Sequence, residues 1–212
     1  MTTFEIETPR GPGRAYPHPV ENPVAALVLG HGAGGGVGAP DLTAATSAAR
    51  SAGLTVVLVE QPYRVAGRRS QPAAGQLDEA WVAIVSRLRE TDLAALPLVV
   101  GGRSAGARVA CRTSAQTDAM AVLCLAFPLH PPGRADDPGK SRLAELDSVR
   151  VPTLVVQGER DPFGMPPEGP HRQVIRVPGN HSLRSTVPVA DAVGKWLSSR
   201  FASRAAARVR AP

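Results

Sequence analysis

Aromatic residues are scarce in this chain of 212 residues. Phenylalanine, tryptophan and tyrosine together make up 4% of the sequence, so a hydrophobic core must be built from alanine, valine and leucine. Hydrophobic residues still reach 43% and charged residues 20%, a balance that excludes a disordered chain. The length fits one domain of ordinary size and leaves little room for a second.

Long apolar runs and targeting signals are also missing. Strand-like runs such as residues 54–59 (LTVVLV) are far shorter than a membrane span. The first ten residues are polar and acidic and lack the charged-then-apolar pattern of a signal peptide. We therefore expect a cytoplasmic protein that has no membrane partner.

Cysteine is rare, and the spacings typical of metal sites do not occur. Cys111 and Cys124 both lie in apolar segments, which predicts two reduced, buried thiols. Neither a CxxC nor an HExxH pattern is found in the sequence. We therefore predict neither a metal site nor a bound cofactor.

The net charge of +6 comes from one end of the chain. From Lys195 onward there are five basic residues and no acidic one, and the rest of the chain has 19 basic and 18 acidic residues. This distribution argues against a nucleic-acid-binding face. We expect a domain over residues 1–201, followed by a basic tail at 202–212 that is mobile or a frayed extension of the last helix.

Strand-like and helix-like segments alternate along the chain. Buried strands are predicted at residues 24–29, 54–59, 98–100, 121–127, 153–156 and 173–177. Helices are predicted at residues 41–52, with Asp41 as N-cap, and at 76–89, 104–113 and 187–201. Residues 62–76 and 131–140 are predicted loops. This pattern indicates a mostly parallel sheet covered by helices on both faces, with ligands beyond the carboxyl ends of the strands.

A nucleophile motif stands between a predicted strand and a predicted helix. Gly102-Arg103-Ser104-Ala105-Gly106 has the form G-x-S-x-G, in which small residues flank a serine on a tight turn. The helix that follows directs its N–H groups and the positive end of its dipole toward the serine hydroxyl. We predict that Ser104 is a nucleophile.

A serine nucleophile needs a base, and the base needs a carboxylate that orients it. Asp161 follows the strand at 153–156, and His181 follows the strand at 173–177, in the order Ser, Asp, His that this motif requires. Both residues lie at carboxyl ends of strands, where they can converge on Ser104. We predict that His181 transfers the proton and that Asp161 holds the imidazole tautomer.

A glycine-rich loop, GHGAGGG at residues 30–36, follows the first predicted strand. A tetrahedral intermediate needs two N–H donors, and Ala105 supplies the first. We predict that Ala33 in this loop supplies the second, with Gly34 as the second choice.

Several further residues are candidate substrate contacts, namely His31, Gly34, His130 and Arg64. His130 follows the strand at 121–127 and either lines the pocket or is a loop histidine held by two prolines. Arg64, with Arg68 and Arg69, either meets an anionic substrate or belongs to a solvated basic loop.

The chain resembles the dienelactone-hydrolase-related α/β-hydrolases. It resembles more closely the bacterial relatives of testis-expressed protein thirty and of the third subunit of the NSL chromatin complex. The matching segments are GHGAGGG (30–36), PYRVAGRR (62–69), GGRSAGARVA (101–110), FPLHPPG (127–133), QGERDPFG (157–164) and GNHSL (179–183). The resemblance implies an α/β-hydrolase fold without a large cap and carries the triad onto Ser104, Asp161 and His181. Dienelactone hydrolases proper use a cysteine nucleophile, so a serine here argues against their substrate.

Two alternatives come from other functional classes. Gly30, Gly32 and Gly35 also satisfy G-x-G-x-x-G after a strand, as in a dinucleotide-binding oxidoreductase, although residues 37–40 separate them from the next predicted helix. A non-catalytic interaction module could use the same fold, since some relatives are scaffold components.

The expected function is hydrolysis of a small ester or thioester, and the oligomeric state is left open.

Overall fold

The computed structural model describes residues 2–135 and 137–209, without the side chains of 205–209. Its eight strands form a single sheet. They are β1 (Phe4–Ile6), β2 (Gly13–His18), β3 (Ala25–Gly30), β4 (Leu54–Glu60), β5 (Leu98–Arg103), β6 (Ala121–Leu125), β7 (Thr153–Gly158) and β8 (Arg172–Val177).

The order of the strands across the sheet is β1-β2-β4-β3-β5-β6-β7-β8. The strands from β4 to β8 in this order are parallel, whereas β1 and β2 pair antiparallel at one edge. The sheet therefore confirms the predicted parallel core. β1 and β2 were not predicted. β1 has only three residues, and Pro17 within β2, with Pro12 just before it, interrupts the alternation that marks a strand.

Six α-helices flank the sheet in the described part of the chain. They are α1 (Pro40–Ser51), α2 (Pro62–Val65), α3 (Ala74–Glu90), α4 (Ala105–Thr113), α5 (Leu143–Asp147) and α6 (Thr186–Val209), with a 3₁₀ turn at Pro138–Lys140. Apolar residues of α3, α4 and α5 pack on one face of the sheet, and those of α1 and α6 pack on the other. Helices therefore cover both faces, as the alternating pattern predicts.

Some predicted boundaries were wrong. β5 continues through Arg103 and β6 ends at Leu125, and the predicted loop at 62–76 contains the short helix α2. Asp41 is not the N-cap of α1. That position belongs to Ala39, and the Asp41 carboxylate is fully buried. The burial of the Asp41 carboxylate is favourable because it forms an ion pair with Arg103. The sequence around Asp41 does not indicate this distant partner.

The C-terminal helix passes the predicted boundary of the domain. α6 continues to Val209, whereas Phe201 is the last large buried side chain among the residues whose side chains are described, which end at Arg204. The end of the predicted tail, residues 210–212, lies outside the described residues, so the division at Phe201 remains a prediction. In the described part of the chain, no helix is long and apolar enough to cross a membrane.

Candidate active site

Ser104 lies where the connections of the sheet change direction. The chain passes from β3 to β4 on one side and from β5 to β6 on the other, and Ser104 directly follows β5. Such a switch point is where parallel sheets bind ligands. Ser104 has φ +52°, a strained conformation for a residue with a side chain. The Ser104 hydroxyl makes no capping hydrogen bond to α4. It is therefore available to other groups beyond the carboxyl end of β5.

Two glycines allow the tight turn around Ser104. A Cβ at Gly102 would lie 2.6 Å from the Gly30 carbonyl oxygen, and one at Gly106 would meet the same oxygen. The turn and the end of β3 therefore approach each other too closely for larger residues. This contact explains the small residues of the G-x-S-x-G motif in physical terms.

The structure brings together the three side chains that the sequence selects. His181 Nε2 lies 2.9 Å from Ser104 Oγ, and His181 Nδ1 lies 2.9 Å from Asp161 Oδ2. The Asp161 side chain is fully buried, and that of His181 is 17% exposed. Because the carboxylate only accepts, Nδ1 carries the hydrogen and Nε2 can accept the Ser104 proton.

The Asp161 carboxylate has further donors that hold it in place. Gln157 Nε2 donates to Oδ2 at 2.8 Å, and the Phe163 N–H donates to Oδ1 at 2.9 Å. The Phe163 ring packs against the His181 imidazole with 4.1 Å between ring centroids. Gln157 and Phe163 were not predicted. Their signal in the sequence is the block QGERDPFG, in which both lie within four residues of Asp161.

The loop at residues 30–36 lies directly beside Ser104. A Cβ built on Gly32 would lie 3.5 Å from Ser104 Cβ. The Ala33 carbonyl accepts a hydrogen bond from Tyr63 Oη at 3.3 Å, so the Gly34 N–H of the same planar peptide is directed away from Tyr63. Ala105 begins α4, where an N–H group has no acceptor within the helix. The oxyanion roles of Ala33 and Ala105 stay predictions.

His31 is buried, and both of its ring nitrogens bind the protein. Nε2 accepts from the Gln61 N–H at 3.1 Å, and Nδ1 donates to the Gly32 carbonyl at 2.8 Å. Burial lowers the pKa of His31 from its ordinary value, so the neutral form is favoured. No ring nitrogen is left for a substrate, and the imidazole instead holds the loop against α2.

The other candidate contacts occupy different places. His130 is half-buried beside the loop after Asp161. Its main-chain N–H donates to the Phe163 carbonyl at 3.0 Å. Arg64 lies in α2, and its buried Nε has no acceptor among the described residues. A Cβ on Gly34 would meet nothing within 4 Å, so this glycine borders open space.

Arg103, the variable residue of the motif, forms an ion pair that was not predicted. Its Nε donates to Asp41 Oδ2 at 2.8 Å, and the Asp41 side chain has no exposed surface. Burial raises the pKa of Asp41, and the Arg103 charge opposes that shift. The pair joins α1 to the strand that carries Ser104.

The site contains little that would hold a metal or a dinucleotide. No group of three or more histidine, cysteine, aspartate or glutamate side chains that could hold a metal occurs in the described ranges. After the glycines at 30–36, α1 begins only at Pro40, so its N-terminus is not at the third glycine of G-x-G-x-x-G. Glu60 ends β4, where a dinucleotide-binding pattern has its acidic residue, and it accepts a hydrogen bond from Tyr16 Oη at 2.9 Å.

Comparisons with known proteins agree with this fold. A family model described as an alpha/beta hydrolase domain matches residues 23–187. A serine hydrolase without a lid from Xanthomonas campestris is 19% identical, with a TM-score of 0.75 and 94% of each chain covered. Est1E from Butyrivibrio proteoclasticus is 15% identical, with a TM-score of 0.76 and 94% of this chain and 99% of that chain covered. A dienelactone hydrolase from Anabaena variabilis is 16% identical, with a TM-score of 0.72 and 95% and 96% covered. The predicted α/β-hydrolase fold without a large cap is confirmed.

Proposed function

The chain belongs to the alpha/beta hydrolase domain family, and from this premise we propose that it is a serine hydrolase of small esters or thioesters. The observation that carries the proposal is the unbroken series of hydrogen-bond contacts from Ser104 through His181 to Asp161. Such a series activates a hydroxyl that is otherwise a poor nucleophile. The esterases and serine hydrolases among the similar structures support the same class of reaction.

The reaction proceeds in two halves through an acyl-serine intermediate. His181 Nε2 removes the proton from Ser104 Oγ as this oxygen attacks the carbonyl carbon of the substrate. The Ala105 and Ala33 N–H groups bind the oxygen that becomes negative. The bond to the alcohol or thiol then breaks, and His181 gives its proton to that leaving group. Water repeats the sequence and releases the acid.

Asp161 assists His181 in two ways, because its negative charge stabilises the protonated imidazole and its position orients the ring. Its carboxylate accepts the Nδ1 hydrogen and stabilises the imidazolium that forms when His181 takes the proton. Gln157 and the Phe163 N–H fix the carboxylate, so the imidazole keeps one orientation through both halves. His181 Nε2 is thereby held toward Ser104.

The open site favours small substrates. No inserted domain covers the carboxyl ends of the strands in the part of the chain that the structure describes. We propose that short model esters enter directly and that the reaction needs no metal or organic cofactor. The closer kinship with the relatives of testis-expressed protein thirty and of the NSL subunit stays a prediction. So does a cytoplasmic location.

The decisive experiment combines turnover and covalent labelling. We expect the purified protein to hydrolyse short-chain nitrophenyl esters and to react with a fluorophosphonate probe at Ser104. The matched control is Ser104→Ala, which removes only the hydroxyl and should abolish both signals. Absence of turnover together with absence of labelling would contradict the proposal and favour a non-catalytic interaction module.

A further inference from the structure

The strand β8 forms one edge of the sheet, and its outer side is open. It is the last strand in the order across the sheet, and among the described strands it pairs only with β7. An open strand edge is a template for pairing with another strand, and proteins that do not use such an edge usually cover or blunt it. The possible partners of this edge depend on which main-chain groups point outward.

The hydrogen bonds to β7 identify the outward residues of β8. The His171 carbonyl accepts from the Thr153 N–H at 2.7 Å, and the Val177 carbonyl accepts from the Glu159 N–H at 3.0 Å. Along a strand, the main-chain groups of alternate residues point to the same side. The odd-numbered residues of β8 therefore face β7, and the even-numbered residues face outward.

Only part of this outward edge is available in the described chain. Arg172 exchanges two main-chain hydrogen bonds with Gly169, at 3.0 and 3.1 Å, so the turn before β8 already covers it. For Val174 and Arg176, no described residue on the outer side binds the main-chain groups. Pro178 follows the strand and has no N–H. The open edge therefore presents the N–H and C=O groups of Val174 and Arg176.

A second copy of β8 satisfies all of these groups in one antiparallel register. With a twofold axis at Ile175, Val174 of each copy lies opposite Arg176 of the other, and each such pair exchanges two hydrogen bonds. A register with Val174 opposite its own copy would direct Arg176 to the already bonded Arg172. A register with Arg176 opposite its own copy would oppose like charges and place Val174 against Pro178, which cannot donate.

The same register matches the side chains on the α6 face of the sheet. A groove of about 430 Å³ lies between β8 and α6, and Ile175 and Trp196 are among its lining residues. Asp191 and Lys195 also line it, and both are exposed, one helical turn apart on α6. A twofold axis would make the two α6 helices antiparallel, so that Asp191 of one copy faces Lys195 of the other.

We propose that β8 and α6 form a homodimer interface, in which the sheet continues from one copy into the other. The occupant of the edge is a second copy of this chain, because its main-chain groups, its apolar residue at the axis and its charges are complementary to themselves. An unrelated extended peptide could supply the main-chain hydrogen bonds but not the pairing of Asp191 with Lys195. The interface lies outside the catalytic site and uses neither Ser104 nor His181.

The first test is the mass of the full chain in solution. We expect sedimentation to give twice the chain mass of 22.1 kDa at a concentration of about 50 µM. Arg176→Pro removes one outward donor from each copy and leaves the hydrogen bonds to β7 in place, so Kd should rise about 10-fold or more. A parent chain that stays monomeric overturns the proposal, and so does a dimer that Arg176→Pro does not weaken.

The second test is specific to the register. In Ile175→Cys, the two new thiols would face each other in a non-hydrogen-bonded pair, where Cα atoms are about 4.5 Å apart and a disulfide can form. Diamide, which is reduced as the thiols are oxidised, should therefore cross-link this variant. Gln173→Cys is the matched control, because residue 173 lies opposite Val177 and not opposite its own copy. Absence of the Ile175→Cys cross-link, or equal cross-linking of both variants, overturns the register.

The third test exchanges the charges on α6. Asp191→Lys should weaken the dimer, and Asp191→Lys combined with Lys195→Asp should return Kd to within about 3-fold of the parent value. Glu90→Lys is the control, because Glu90 is exposed on α3, which packs on the other face of the sheet, and Kd should not change. A double variant that dimerises no better than Asp191→Lys contradicts the pairing of the two α6 helices. Melting curves verify that each variant is folded.

Discussion

Arg103 Nη2 donates a hydrogen bond to the main-chain carbonyl of His181 at 3.1 Å. Arg103 precedes Ser104, so one side chain ties the segment of Ser104 to the segment of His181. The same guanidinium binds the buried Asp41 through Nε, which anchors it to α1. We therefore predict that Arg103, at the variable position of the G-x-S-x-G motif, holds His181 in position relative to Ser104.

The first prediction concerns this anchor. Arg103→Met leaves the Asp41 carboxylate buried without its partner and should lower the free energy of unfolding by about 3–5 kcal/mol at pH 7. We expect kcat to fall more than KM changes, because the segment of His181 loses a tether. Adding Asp41→Asn should restore part of the stability. Urea denaturation and steady-state kinetics measure both effects.

The pH dependence of the Arg103→Met variant provides a second measure. The pKa of Asp41 is already raised by burial, so the folded state holds this proton more tightly than the unfolded state. Stability from this group therefore decreases as pH rises, and the deficit of Arg103→Met should shrink as the pH is lowered. Arg89→Met is the control, because its ion pair with Asp118 is exposed and should contribute less than about 1 kcal/mol. Equal losses in the two arginine variants would contradict the anchoring role.

The second prediction concerns the roles of the three site residues. Ser104→Ala and His181→Ala should each lower kcat by a factor on the order of 10⁴ or more, and Asp161→Asn by a similar or smaller factor. The losses should not add in double variants, because the three side chains act as a unit. His130→Ala is the control histidine. Near-normal turnover in His181→Ala, with loss in His130→Ala, would show that the base is wrongly assigned.

The third prediction concerns acid stability and His31. Burial lowers the pKa of His31 below its ordinary value of 6.5, so the unfolded chain binds this proton more readily than the folded protein. Stability from this group is complete above that ordinary value and is lost as pH falls toward the lowered pKa. In His31→Gln, the free energy of unfolding should therefore change less between pH 7 and pH 5.

The control for this prediction is His171→Gln, because His171 is exposed. Denaturant titrations at each pH give the slopes, and the difference between variant and parent isolates His31 from the other groups that titrate. If the free energy of unfolding changed equally with pH in His31→Gln and in the parent protein, the buried imidazole would not be the cause of the loss of stability in acid.

The fourth prediction concerns the C-terminal tail. Phe201 is buried, whereas residues 202–204 are exposed, and Val209 is the one large aliphatic residue in the segment 202–212. Truncation after Phe201 should leave the melting temperature and esterase activity nearly unchanged. Truncation after Arg200 also removes Phe201 and should cost about 3–5 kcal/mol of stability. A large drop in the first truncation would mean that the tail packs on the domain.

The sequence by itself determined the parallel core and the three residues of the candidate site. Nearly continuous apolar runs such as those of β3 and β4 are buried on both faces, which requires helices on either side of a parallel sheet. Parallel strands bring their carboxyl ends to one edge. Residues placed just after β5, β7 and β8 therefore had to meet, even though Ser104 and His181 are 77 positions apart.

Only the tertiary structure decided which side chains surround that site. Arg103 and Asp41 are 62 positions apart, and Asp41 at the start of a helix has the same local pattern whether it caps the helix or forms a buried ion pair. His31 and Gln61 follow two different strands, and only the fold joins them by a hydrogen bond across 30 positions of the chain. Local periodicity reports which face of an element is buried. The partner that a buried polar atom meets depends on how elements distant in sequence pack together. Local periodicity does not predict that packing.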